Sequence, residues 1–259
     1  MASLIILAAG RSTRFGRPKQ LEPVTPDGRT IIDLTMAEAA EAGCRSMVLV
    51  SSPALEPDFR LKYGDRPHVR IAVQQMPLGT ADAALRGLSG IDGTAVVVNG
   101  DDHYGHEAIG AAMGHALGGT ATEHALVAYR LDRTLSPSGG VNRALCTLDG
   151  DGYLASTEEV RGIREENGFL LDEAGARWSH DRLASMNLWI FRSSLFPLFA
   201  ELSAVERQGE YGLPEVVQIA IARGHRFRVI PTDAQWTGLT FADDANLVRR
   251  NLSRRQDAT

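Results

Sequence analysis

Lysine is scarce in this sequence. Of the 27 lysines and arginines among 259 residues, only Lys19 and Lys62 are lysines. Lys19 stands near the end of the stretch Leu7-Ala8-Ala9-Gly10-Arg11-Ser12-Thr13-Arg14-Phe15-Gly16-Arg17-Pro18-Lys19-Gln20, which combines small residues, hydroxyls and cations. A chain of phosphates needs that combination. Ala8, Ala9 and Gly10 let backbone N–H groups come close to phosphate oxygens. Ser12 and Thr13 add donors, while Arg11, Arg14 and Lys19 supply positive charge where oxygens gain negative charge during phosphoryl transfer. The stretch lacks both the Gly-Lys-Ser/Thr ending of a P-loop and the Gly-x-Gly-x-x-Gly of a dinucleotide site.

Two other stretches carry chemistry of a matching kind. In Gln75-Met76-Pro77-Leu78-Gly79-Thr80-Ala81-Asp82-Ala83 a side-chain amide suits a nucleobase edge, and Gly79 lets the chain approach a ring or ribose. Asn99-Gly100-Asp101-Asp102 places carboxylates after an apolar run. Magnesium needs only one or two protein carboxylates alongside substrate oxygens and water, so Asp101 is the candidate ligand, with manganese the alternative ion. His103 and His106 sit beside them without the further clustered ligand that a zinc site needs, and are expected to flank the pocket.

These residues must be carried by elements that bring them together. Ser3 to Ala8 reads as a buried strand, because a short continuous apolar run stops at Ala9-Gly10. A helix is expected over Arg29 to Ala42, ended by Gly43, and then a strand at Met47 to Val50. The alternation continues with a strand at Val69 to Val73, a helix at Thr80 to Leu88, a strand at Ala95 to Val98, a helix at Ala108 to Leu117 and a strand at His124 to Tyr129. Strands separated by helices imply a mostly parallel, Rossmann-like α/β sheet flanked by helices, in which ligands bind beyond the carboxyl ends of the strands. The candidate residues follow Ala8 and Val98 directly. Residues 133–183, with Pro137, Gly139-Gly140 and Gly150-Asp151-Gly152, read as a β-rich insertion over the site within one domain spanning 1–259. Beyond it come a strand at Met186 to Phe191, helices near Leu195 to Val205 and Leu213 to Arg223, a strand at Phe227 to Ile230 and a closing helix near Asp243 to Leu252.

Bulk properties narrow the class. The chain is 44% hydrophobic and 23% charged, an ordinary globular composition. A net charge of -5 argues against broad nucleic-acid binding, which shows as a basic surplus or stripe. The first apolar run is too short for a membrane span or signal peptide, so a cytoplasmic location without membrane attachment is expected. Cys44 and Cys146 lack the close spacing of zinc or redox motifs and read as buried thiols.

The Leu7 to Gln20 loop resembles the signature of the nucleotidyltransferase superfamily with the GT-A-like fold, which includes the sugar-phosphate nucleotidylyltransferases. The resemblance implies that Arg14 and Lys19 contact the triphosphate and the transition state. Gln75 to Ala81 resembles the Gln-x-x-Pro-x-Gly-Thr-Ala segment that contacts the nucleobase in those enzymes, which assigns Gln75, Pro77, Gly79 and Thr80 to the nucleotide together with Gly100. Asp101 matches the family's metal-binding aspartate, with Asp102 beside it toward the acceptor. The second metal ligand of the family comes from a late loop. Here the matching stretch is Trp236 to Asp244, where Thr240 falls nearest that position and Asp243 is the closest carboxylate.

On the acceptor side, Glu158-Glu159 resembles the family's sugar-holding Glu-Lys-Pro region without its lysine. Ser185-Met186-Asn187-Leu188-Trp189 resembles its acceptor-touching strand, and Glu210-Tyr211-Gly212-Leu213-Pro214-Glu215 the loop that closes the acceptor pocket. The resemblance thus implies Asp102, Glu159, Asn187 and Glu210 as acceptor contacts, and it admits a homo-oligomer. The expected reaction joins a nucleoside monophosphate from a nucleoside triphosphate to a phosphorylated small molecule, a sugar phosphate for preference, with release of pyrophosphate. Two rivals are a GT-A glycosyltransferase, with Asp101-Asp102-His103 as an Asp-x-Asp-like metal motif, and a catalytically silent nucleotide-sensing domain. A cationic loop at the first strand speaks against the former, and the missing late carboxylate is the best support for the latter.

Overall fold

Every residue of the first strand, β1 (Ala2–Leu7), is buried, as a continuous apolar run covered on both faces must be. In the computed structural model, residues 1–10, 18–118, 123–137, 139–205, 209–239 and 248 are described. After β1 come α1 (Ile31–Glu41), β2 (Met47–Ser51), α2 (Glu56–Tyr63), β3 (Val69–Val73), α3 (Thr80–Leu88), β4 (Thr94–Asn99), β5 (Asp102–His103), α4 (His106–Gly118) and β6 (His124–Arg130). The middle of the chain adds β7 (Val141–Leu148), β8 (Leu154–Glu166), β9 (Phe169–Leu171), β10 (Arg177–Trp178) and β11 (Leu183–Arg192). After β11 follow α5 (Phe196–Ser203), α6 (Leu213–Ala222), β12 (Phe227–Thr232) and β13 (Thr237–Gly238).

The central sheet has the order β3-β2-β1-β4-β11-β6-β12. Neighbours β3, β2, β1 and β4 are parallel, β12 is parallel to β6, and β11 alone runs against its neighbours β4 and β6. This is the mostly parallel, helix-flanked α/β sheet expected from the alternation. Successive side chains point to opposite faces. Ile5, Val97, Trp189 and Phe191 therefore pack with Leu88, Phe199 and Val216 of α3, α5 and α6. Leu4, Ile6, Val96 and Ile190 pack with Met36, Ile109 and Met113 of α1 and α4 and with Phe59 and Tyr63 of α2.

Helix α1 starts at a capping box in which Thr30 Oγ1 accepts from Asp33 N at 3.2 Å and Thr30 N donates to Asp33 Oδ2 at 3.0 Å. Lys62 and Arg66 from α2 and the turn after it also meet the buried Asp33 carboxylate, at 2.9 and 2.8 Å. Burial opposes its charge, but the Thr30 hydrogen bonds and the Lys62 ammonium hold the carboxyl below its usual range.

Strands β7 to β10 form an antiparallel extension inside 133–183, with its own core of Leu145, Val160, Ile163 and Leu170. It joins the central sheet where Ala184 and Ser185 of β11 pair with Leu145 and Ala144 of β7. Beyond that junction β11 bulges: Ser185 faces Ala128 and Leu188 faces Val127, leaving Met186 and Asn187 as extra residues. Asn187 has φ 61° there, a left-handed conformation that asparagine tolerates.

Candidate active site

The carboxyl ends of β1 and β4 are held side by side. Gly100 N donates to Leu7 O at 2.8 Å, and a Cβ on Gly100 would lie 2.9 Å from the Ala8 Cβ, so this contact requires glycine. Next to it opens a cleft of about 450 Å³, lined by Leu7, Ala9, Gly10, Lys19, Gln20, Asn99 and Asp101 on one side and by Gln74, Pro77, Gly79, Thr80, Ala83 and Glu210 on the other. A side chain added at Gly10 would meet nothing within 4 Å among the described residues. Packing among the described residues therefore does not require glycine there.

Lys19 begins a 3-10 turn, Lys19–Leu21, oriented by Gln20 Nε2 donating to Gly10 O at 3.0 Å. Its ammonium donates to Asp101 Oδ2, and to Leu239 O at 3.3 Å. Leu239 N in turn donates to Asp101 O at 2.9 Å. The late loop that the sequence placed near the metal thus reaches Asp101, and β13 pairs with β5 through Gly238 opposite Asp102. Thr240 and Asp243, proposed from sequence as metal ligands, lie outside the described residues, as do Arg11, Ser12, Thr13 and Arg14. Among the described residues no three metal-ligating side chains cluster. Asp101 is the described carboxylate that lines the cleft close to Lys19.

Asp102 does not line the cleft. It is buried, accepts from Asn99 Nδ2 at 2.9 Å, and lies 3.4 Å from the Tyr104 hydroxyl. Burial, then the neighbouring Asp101 charge, pushes its carboxyl up to about 7. His103 is buried with Nε2 3.6 Å from Glu38, and His106 is exposed beside Glu41. Both face α1 rather than the cleft, so the expectation that they flank the pocket is corrected.

In the segment expected to meet the nucleobase, Gln74, not Gln75, lines the cleft; Gln75 is exposed outside it. Gln74 Nε2 donates to Gly79 O and Asp82 Oδ2, both at 2.9 Å, which leaves its Oε1 as the group of the amide still able to accept. Gly79 has φ 104° and caps α3. A Cβ on it would lie 2.3 Å from Tyr211 O. Tyr211 N donates to Leu78 O at 2.7 Å, Ala81 N to Tyr211 O at 2.9 Å, and Leu213 N to Thr80 Oγ1 at 3.0 Å. The segment carrying Glu210 is thereby zipped to the segment carrying Pro77 and Thr80.

The other acceptor candidates lie farther along β11 and β8. Asn187 Oδ1 accepts from Trp189 Nε1 at 3.1 Å. Glu159 is exposed, faces Ala144, which itself faces Ser185, and is 3.3 Å from Arg161. Sequence reasoning missed Gln74 as the cleft-lining amide, together with Tyr211 and Trp236. Strand alternation held the signal for Gln74, since Ala72 and Gln74 are the buried pair at the end of β3. No local signal marks the contacts of Tyr211 or Trp236, which are made across long sequence separations.

Comparison with known proteins places the chain in a family. Residues 4–218 match the family described as the MobA-like NTP transferase domain. The chain is 32% identical over 237 residues to the bifunctional protein GlmU of Novosphingobium aromaticivorans, covering 89% of this chain and 48% of that protein. It is 29% identical to the protein of that name from Corynebacterium efficiens, covering 90% and 46%. The chain therefore spans about half the length of these curated relatives. Its fold is shared with the inositol-1-phosphate CTP transferase from T. maritima, at a TM-score of 0.73 and 16% identity over 98% of this chain and 96% of that one. None of the described helices is long and apolar enough to cross a membrane. By the family match and the relative of 32% identity, this chain belongs to the MobA-like NTP transferase domain family.

Proposed function

We propose that the chain transfers a nucleoside monophosphate from a nucleoside triphosphate to a phosphorylated small molecule of the sugar-phosphate class. The observation that carries this reading is the Lys19–Asp101 pair in a cleft at the carboxyl ends of β1 and β4. An acceptor phosphate oxygen attacks the α-phosphorus, the bond from that phosphorus to the bridging oxygen of the β-phosphate breaks, and pyrophosphate leaves. The acceptor is already anionic, so no side-chain nucleophile or strong base is needed. Lys19 serves as the cation for the phosphates, Gln74 accepts from the base edge, and Gly79 and Thr80 shape the wall around the base. Glu210, which lines the cleft, and Asn187 and Glu159, on β11 and β8 outside its lining, are the residues assigned to the acceptor.

The donor set fits magnesium. One carboxylate, Asp101, together with substrate oxygens and water meets the requirement of that ion, and manganese is the alternative. When bound, the ion neutralises phosphate charge and orients the oxygens. Family membership, and the fold shared with a transferase named for inositol 1-phosphate and CTP, support the reaction class. We assign the cytoplasm as the place of action.

The test is pyrophosphate release, measured with each nucleoside triphosphate against phosphorylated sugars, cyclitols and aminoalcohols. Acceptor-dependent release that is lost in Lys19→Ala and Asp101→Ala supports the reading. A glycosyltransferase releases no pyrophosphate, and a sensing domain binds nucleotide without turnover for any acceptor.

A further inference from the structure

The segment between β12 and β13 carries Trp236, and the guanidinium of Arg143 from β7 lies over its ring at 4.8 Å from the centroid. Both partners are moored to the turn after β6: Trp236 N donates to Arg133 O at 3.1 Å, and Arg143 Nη2 donates to Thr134 O. The indole also presses on Gly238, where a Cβ would lie 2.6 Å from the ring and 2.9 Å from Asp102 Oδ1. One residue on, Leu239 binds both members of the candidate catalytic pair, its N–H to Asp101 O at 2.9 Å and its carbonyl to Lys19 Nζ at 3.3 Å. A continuous line of contacts thus runs from the acceptor-side extension to the floor of the cleft.

We propose that Arg143 is a positioning residue: by stacking on Trp236 it fixes residues 236–239, and through the Leu239 main chain it sets where Lys19 and Asp101 meet. An arginine suits this role because a planar guanidinium can stack on an indole and still donate in its own plane to a carbonyl. Burial pushes its pKa down to about 10 against the favourable pull of Asp102, so the cation is held here at a desolvation cost. Arg143 is also next to Ala144, the residue paired with Ser185 of β11. One side chain therefore joins the acceptor-side sheet to the catalytic pair, two parts of the chain that share no element.

The kinetic consequence of the inference rests on the transfer reading, but its structural test does not. The chain has only two lysines, Lys19 and Lys62, and Lys62 is paired with Asp33 away from this line of contacts. Trace acetylation with acetic anhydride, followed by peptide mapping, reads the two amines separately in the full chain. In Arg143→Met, Lys19 is expected to acetylate about five-fold faster than in the wild type, with Lys62 unchanged, and Arg143→Lys, which keeps the charge but loses the planar stack and its in-plane donor, restores only a minor part of the protection. In turnover, Arg143→Met lowers kcat about ten-fold with KM for both substrates within about two-fold. Unchanged Lys19 reactivity in Arg143→Met overturns the inference. So do equal gains at both lysines, which mean general loosening, and a raised acceptor KM at constant kcat, which makes Arg143 a substrate contact. Absence of transfer by the wild type with every acceptor sinks the transfer reading alone and leaves the acetylation result to decide this one.

Discussion

The carbonyl oxygen of Tyr211 occupies the position a side chain on Gly79 would need, 2.3 Å from an ideal Cβ. With φ 104° at Gly79, an L side chain is strained by its own backbone as well as by this contact. Gly79→Ala is expected to push the Leu78–Ala81 segment off Tyr211, raising KM for the nucleotide about ten-fold and costing roughly 1–3 kcal/mol of stability. Urea unfolding and initial-rate kinetics check both. A variant with wild-type KM and midpoint would mean that the two segments are not locked in solution.

Lys19 and Asp101 are partly exposed, at 21% and 28% of their side-chain surfaces. A pair of that exposure contributes at most about 1 kcal/mol to stability. Lys19→Ala and Asp101→Ala are therefore expected to leave the unfolding midpoint nearly unchanged while lowering kcat by about a hundred-fold or more. Loss of stability in step with activity would assign the pair a structural role instead.

Gln74 is held by two acceptors, Gly79 O and Asp82 Oδ2, so its amide cannot turn to suit a different base. Gln74→Ala is expected to raise KM for the preferred nucleoside triphosphate about ten-fold and to narrow its advantage over the others, whereas Gln75→Ala does neither. Competition among the four nucleotides in one assay reads the change directly. Equal effects of the two substitutions would contradict this placement of the base.

Acid should loosen the far end of the sheet. His124 Nδ1 accepts from Arg192 N at 3.1 Å, and its Nε2 lies 3.1 Å from His225 Nδ1. Burial first, then the His225 and Arg192 charges, lowers its pKa from 6.5 to about 4. Between those values the unfolded chain binds the proton and the folded one does not. The contribution is thus complete above pH 6.5 and is lost as pH falls toward 4, by about 2 kcal/mol already at pH 5. Urea unfolding at pH 7.5 and 5 should show that loss in the wild type and a smaller one in His124→Gln, which keeps an acceptor but does not titrate. Equal losses in the two proteins would remove His124 as the cause.

The strand and helix order was readable because it depends on local apolar runs and their stops, as at Leu7 before Ala8-Ala9-Gly10. Helix α2 was not anticipated, since it buries only Phe59 and Tyr63 and leaves most of its remaining residues charged. Asp101 and Gly79, which line the cleft, border elements that the pattern marks, and Lys19 stands out because lysine is so scarce in the chain. Gln74 was missed by one residue at the end of β3, where a shift of one turns a side chain to the opposite face. The two-residue ladder of β5 and β13 and the Arg143–Trp236 stack join distant segments and leave no periodic trace.

The proposed reaction is attack at the α-phosphorus beside Lys19 and Asp101. The most direct test follows the label from an α-32P nucleoside triphosphate in the presence of a phosphorylated acceptor. Nucleotidyl transfer predicts that the label appears in the acceptor product with one pyrophosphate released for each product formed, and that Lys19→Ala abolishes both together. Label recovered in nucleoside diphosphate, or pyrophosphate release that does not depend on the acceptor, would contradict it.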